Sequence, residues 1–127
     1  GYFDENLPMG IDWDLWLRYS VDWSFQYTPE KTYVYRVWPG QMSSNYRGRY
    51  DNAFVILEKF IKDNPKKVPD YLISRAWADM YVSRGYTIAC HEKTLREPIL
   101  DITRGIKCDF GYFVAWRYLL KVLLRRV

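Results

Sequence analysis

From Tyr50 to the carboxy terminus, apolar side chains recur every three or four residues, which commits most of the chain to helices packed face to face. Tyr50, Ala53, Phe54, Leu57, Phe60 and Ile61 make the first stripe, and Asn64-Pro65 stops it. Pro69-Asp70 opens a second helix, with Asp70 as its N-cap and Leu72, Ile73, Ala76, Trp77, Met80 and Tyr81 along one face. Gly85 falls where a C′ residue would end that helix. A shorter helix follows over 87–95, and Pro98 sits in the first turn of another that ends near Gly105. Asp109 is placed to cap the last helix, 110–126. The helix–glycine–helix unit at Gly85, with Ala89 across the turn, reads as a single tetratricopeptide-like hairpin. No second copy follows at the period of about 34 residues that an array requires.

The first part of the chain has another rhythm. Asp4, Glu5, Asn6, Pro8 and Gly10 are turn formers, so 1–10 is a loop. A helix begins at Asp12, capped by Asp12 or Asp14, and ends between Ser20 and Asp22. Alternation in Trp23-Ser24-Phe25-Gln26-Tyr27, a turn at 28–31, and the β-branched and aromatic run 32–38 predict a short β hairpin or strand pair. Pro39-Gly40 closes it, and 41–45 is a polar loop. The fold expected is therefore mainly α with a β element near the N-terminus, divided into 1–47 and a helical region 48–127.

An apolar fraction of 49% and an aromatic fraction of 19% exclude a disordered chain. Much of the net charge of +4 comes from Arg117, Lys121, Arg125 and Arg126. Lysines and arginines do not interleave with aromatics in a nucleic-acid-binding pattern, so no nucleic-acid partner is expected. Arg117, Lys121 and Arg125 recur every fourth residue, either as the solvated edge of a core helix or as the contact of a helix lying on the inner membrane face. The longest apolar segment, 110–124, is interrupted by Arg117 and Lys121 and is not a spanning helix. Cys90 and Cys108 form no CxxC or Cys/His cluster, which suits free thiols in a reducing compartment; a disulfide between them is the other option. His91 has no acid or thiol partner at ligand spacing, so it is read as a surface or core residue and no metal site is assigned in this chain. The location expected is cytoplasmic, with peripheral contact at the membrane through the basic helix.

Asp12 and Asp14 pose the functional question. Two acids two apart on a helix do not face each other, so a pair of cooperating carboxylates is not implied. One acid turned to a cleft and one structural acid is the better reading.

Three segments in order give that reading a context. Gly1-Tyr2-Phe3-Asp4-Glu5, then 11–18 with Asp12-Trp13-Asp14-Leu15-Trp16-Leu17-Arg18, then 35–43 with Tyr35-Arg36 and Gln41-Met42-Ser43 resemble family 2 glycosyltransferases of the GT-A fold. Those enzymes carry a G-x-F-D-E segment, an E-D-x-D-L-W-L-R motif and a Y-R-x-H motif followed by a Ser-containing loop. The resemblance covers about the first 47 residues and implies that the chain is the C-terminal portion of such an enzyme, inactive alone. It implies Asp12 as general base, removing the proton of an acceptor hydroxyl that attacks a nucleotide-sugar. The acceptor would be a saccharide or a lipid-linked one.

The resemblance puts Trp13, Asp14, Trp16, Arg36, Trp38, Gln41 and Ser43 at substrate-side positions, where Trp13 and Trp16 line the acceptor pocket or pack beneath it and Asp14 also holds the helix start or the neighbouring loop. Arg36 supports the fold or meets the diphosphate, and Gln41 and Ser43 lie near the donor. A divalent Mg or Mn ion is implied, with ligands mostly outside this chain. Ile11 stands where the family has the first acid, and Trp38 where many members have His. No D-x-D on a preceding strand occurs; Asp12-Trp13-Asp14 has those letters but belongs to the later motif. The rival reading is a non-catalytic helical module whose aromatics and single hairpin dock a partner. The aromatic faces near Trp13 and Trp16 also predict self-association of the chain alone.

Overall fold

The computed structural model describes residues 2–124, and among these the chain forms five α-helices. They are α1 (Ile11–Tyr19), α2 (Tyr46–Asp63), α3 (Asp70–His91), α4 (Arg96–Cys108) and α5 (Phe113–Leu123), with one 3-10 turn at Met42–Ser44. Two compact units result, Gly1–Asp63 with α1 and α2, and Asn64–Val127 with α3 to α5. No helix among the described residues is long and apolar enough to cross a membrane.

The expected β hairpin is absent: no strand or sheet occurs among the described residues. Residues 24–37 are exposed and belong to no helix or strand, and none makes a backbone-to-backbone hydrogen bond within the described residues. The alternation is present in the sequence, but a strand exists only as a member of a ladder. Without a neighbouring strand, the N–H and C=O groups of this segment have no ladder partner.

In the second unit, α3 packs against both α4 and α5, and α4 also packs against α5. Val82, Ala89, Ile102, Ile106, Ala115 and Val122 form the buried centre. A helix end at Gly85 is not found. α3 continues through Gly85 to His91 and the turn to α4 lies at 92–95, so the expected helix 87–95 divides between the last turn of α3 and that turn. Gly105 likewise lies inside α4 instead of ending it. Both glycines serve the crossing of α3 and α4, where the backbones approach too closely for a side chain. A Cβ on Gly85 would lie 2.8 Å from the Pro98 carbonyl oxygen, and one on Gly105 would lie 2.6 Å from Val82 Cγ2 and 2.8 Å from the Ala78 carbonyl oxygen. The single tetratricopeptide-like turn at Gly85 is thus replaced by one longer hairpin.

Polar anchors hold the same joint. Asp101 is almost fully buried, and Arg84 grips both its carboxylate oxygens, Nε at 2.7 Å and Nη2 at 2.8 Å. The bidentate fork answers the desolvation cost of the buried acid. Asp109 is the C-cap residue of α4, not the cap of α5, and its carboxylate receives the Arg75 guanidinium. Accordingly α5 starts at Phe113 and not at Phe110, after a turn in which Tyr112 donates its hydroxyl to Asp79. Asp70 lies in the first turn of α3 behind the N-cap residue Pro69. Cys90 and Cys108 are free thiols.

Two outcomes follow from this unit. Gly105→Ala gains about 1 kcal/mol of helix propensity but overpacks the crossing at a cost of about 1–3 kcal/mol. A net loss of stability in denaturant melts is expected, with the same sign for Gly85→Ala; a stabilised variant would show that the helices are not so close. Partial burial and the hydrogen bond to Asp79 push the Tyr112 phenol up to about 12 from an ordinary 10.0. Its folded value is the higher one, so its stabilisation is whole below pH 10.0 and is lost as the pH rises to about 12. Alkaline melts of Tyr112→Phe should lose stability less steeply across that window.

Candidate active site

The first unit is organised by α1, a helix whose sides have three separate tasks. Gly10 precedes it in the left-handed region, φ 73°, and its carbonyl accepts the Asp14 N–H at 3.0 Å. No side chain caps the helix, so neither Asp12 nor Asp14 is the expected cap. Asp12 instead accepts the adjacent Trp13 N–H at 2.9 Å, and Asp14 turns inward.

Asp14 is only 3% exposed. One of its oxygens takes Nε and Nη2 of Arg18, both at 2.9 Å, and Lys59 Nζ of α2 approaches the other at 3.7 Å. Lys59 also donates to Asp4 at 2.6 Å, while Arg18 Nη2 reaches the Tyr2 carbonyl at 2.8 Å. The network therefore ties the 2–4 segment, α1 and α2 into one body. Ile56, Leu57 and Phe60 of α2 are buried. The Lys59 hydrogen bond, helped by the Asn6 N–H, holds the Asp4 carboxyl below its ordinary 3.8, and that bond in return raises the Lys59 ammonium. Asp4 has the lower value in the folded state, so its contribution is complete above pH 3.8 and fades as the pH falls below it.

With Asp14 turned inward, Asp12 opens onto an open cavity of about 370 Å3. Arg36, Trp38, Gln41 and Ser43 line the same cavity, together with Tyr35 and Arg49. The loop is shaped by its own side chains. Gln41 Oε1 accepts the Trp38 N–H, the Gln41 N–H returns to the Trp38 carbonyl, both at 3.3 Å, and Gly40 takes φ 86° between them. Ser43 Oγ lies 3.3 Å from the Tyr35 hydroxyl. Trp13 and Trp16 do not join this group. With Leu17, Ser20 and Phe25 they line a separate, almost wholly apolar cavity of about 490 Å3.

Of the residues read from the sequence, Asp12, Arg36, Trp38, Gln41 and Ser43 thus share one cavity, Trp13 and Trp16 another, and Asp14 lines neither. Arg49 was missing from the sequence reading. It lies on α2, at a position the apolar stripe does not use, and Asn45 fixes it there by accepting the Gly48 N–H at 3.0 Å with its side chain and the Arg49 N–H at 3.0 Å with its carbonyl. The run Asn45-Tyr46-Arg47-Gly48-Arg49, an N-cap residue followed by a basic first turn, was the available signal. Among the described residues, no group of three or more His, Cys, Asp or Glu is arranged to hold a metal ion. Asp12, set in the cavity with Arg36 and Arg49, presents an acid among cations and not a metal-ligand set.

Comparison with protein-family models, with curated proteins and with solved structures gives no match to this chain.

The two acids should separate cleanly by substitution. Asp14→Ala leaves Arg18 and Lys59 facing an empty acceptor, a loss of about 2 kcal/mol, whereas Asp12→Asn on the exposed side should stay within about 0.5 kcal/mol. Hydrogen exchange of the α1 and α2 amides reads this locally; equal effects would remove the distinction between a structural acid and an open one.

Proposed function

We propose that this chain carries the acceptor side of a nucleotide-sugar glycosyltransferase site, as part of a longer family 2-like enzyme, with Asp12 as the general base. The observation that supports this reading most is that Asp12 of α1 opens onto the same cavity as Arg36, Trp38, Gln41 and Ser43 of the 36–43 loop, which follows it by more than twenty residues. A base must keep an oxygen free for the incoming proton. Asp12 is exposed and spends one oxygen on the Trp13 N–H.

In the reaction, the acceptor hydroxyl gives its proton to the Asp12 carboxylate as its oxygen bonds to the anomeric carbon. The bond from that carbon to the diphosphate breaks, and the nucleoside diphosphate departs with the electron pair. Arg36 and Arg49 supply positive charge on the side where that negative charge grows, and a guanidinium can meet phosphate oxygens in pairs. Trp38 and Tyr35 offer aromatic faces to a sugar ring. Among the described residues no group of three or more His, Cys, Asp or Glu is arranged as a metal site, so no step is routed through an ion here. A Mg or Mn ion belongs to the proposal only through ligands elsewhere in the enzyme, as does most of the donor pocket. The chain alone is accordingly expected not to turn over.

The test belongs in the full-length protein. Asp12→Asn should reduce transfer by about 100-fold or more while leaving nucleotide-sugar binding, followed by calorimetry, nearly unchanged. Retained turnover would remove Asp12 from the role of base. Undisturbed turnover in an Arg36→Gln, Arg49→Gln double variant would take the diphosphate out of this cavity.

A further inference from the structure

The face of α5 turned away from the second unit's core is apolar, and none of the described residues of that unit covers it. Phe113, Trp116, Leu120 and Leu123 follow one another at three- and four-residue spacing, and Phe110 precedes them in the turn. All five are exposed, Phe110 by 75% and Phe113 by 76%, while Ala115 and Val122 on the opposite side are buried in the core. A helix that only completed a three-helix core would present polar residues here. The tip of the face is also held in shape. Trp116 Nε1 donates to the Phe110 carbonyl at 3.0 Å, and the two rings meet edge to face with centroids 5.2 Å apart. The rings are ordered before any partner arrives, so little conformational entropy remains to be lost on docking.

The charges beside this face select the partner. Arg117 and Lys121 lie along one flank of the stripe, and the sequence from Phe110 to Val127 contains no Asp or Glu. Neither cation has a carboxylate partner among the described residues. Arg117 lies over the Tyr118 ring, and Lys121 over the stacked Tyr86 and Tyr118 rings at 5.6 and 5.7 Å. A second copy of the same face would bring more apolar surface but only more cations, with no counter-charge. A lipid surface carrying anionic headgroups offers both an apolar layer for the stripe and negative charge for the flank. Aromatic rings at the end of such a helix suit the boundary between acyl chains and headgroups.

We propose that α5 is an in-plane membrane-binding helix, which inserts Phe110, Phe113, Trp116, Leu120 and Leu123 below the headgroups of an anionic bilayer and sets Arg117 and Lys121 against the phosphates. This surface stands on the second unit alone and does not depend on the transferase reading.

Vesicle co-sedimentation of the whole chain tests it, comparing phosphatidylcholine containing phosphatidylglycerol with phosphatidylcholine alone. Binding is expected to the anionic vesicles and to weaken with added salt. Phe113→Gln with Leu120→Gln should reduce it by more than about tenfold, because exposed positions change without touching the core. Arg117→Gln and Lys121→Gln should each weaken it by about fivefold on anionic vesicles alone. Val55→Gln, an equally exposed apolar position on α2, should leave it unchanged. Absence of binding by the parent chain, or binding indifferent to the Phe113 and Leu120 changes, would overturn the proposal. So would light scattering in which those two changes halve the particle mass while vesicle binding is absent, since the face would then belong to a second copy.

Discussion

Burial of the Asp14 carboxylate is the constraint on which the first unit depends. A charged group taken out of water must be met by cations and hydrogen bonds, or the helix that carries it will rotate to return it to solvent. Arg18 one turn along α1 and Lys59 on α2 meet that requirement, and Lys59 extends it to Asp4. Rotation of α1 about its axis is thereby fixed. Once Asp14 faces α2, Asp12 cannot, and the two acids are driven to different sides of a helix only nine residues long. The same rotation carries Trp13 and Trp16 toward Phe25 and away from the cavity that holds Asp12.

The second unit solves a similar problem with different parts. Asp101 is buried more deeply than Asp14, and the Arg84 fork answers it across the α3–α4 crossing, with Arg104 at 3.4 Å. Two glycines allow the approach that makes the fork short enough to close. Close backbone packing and a bidentate ion pair are thus one arrangement, since an added Cβ at Gly85 would meet Asp101 Cβ itself at 3.0 Å.

Helix existence was legible in the sequence, because a stripe such as Ala53, Phe54, Leu57, Phe60 reports burial directly. Helix ends were less so. Gly85 and Gly105 carry the letter that ends many helices, but their reason here is tertiary, a close neighbour that no local pattern announces. The strands at 23–27 and 32–38 fail for a related cause. Alternation specifies which side chains share a face of a sheet, not that a sheet is present, and pairing depends on a partner outside the local window. Asp109 shows the same effect at smaller scale: its position suits a cap for α5, while the Arg75 guanidinium draws its carboxylate elsewhere.

The candidate site divides along the same line. No periodicity separates Asp12 from Asp14; the order of the three motifs singled out Asp12, and the ion pairs around Asp14 give an independent reason for the division. Both buried acids among the described residues are met by cations: Arg84 takes both oxygens of Asp101, while Arg18 takes one oxygen of Asp14 and Lys59 stands 3.7 Å from the other. Asp4 is occupied by Lys59, and Asp109 by Arg75. Asp12 differs in kind. It lies next to a buried network that holds its helix still, yet it takes no part in that network, and it opens onto a cavity lined by Arg36 and Arg49. Rigid support from Asp14 and an exposed carboxylate two positions earlier, with one oxygen given to the Trp13 N–H, thus come from one short helix whose two acids do not face the same way.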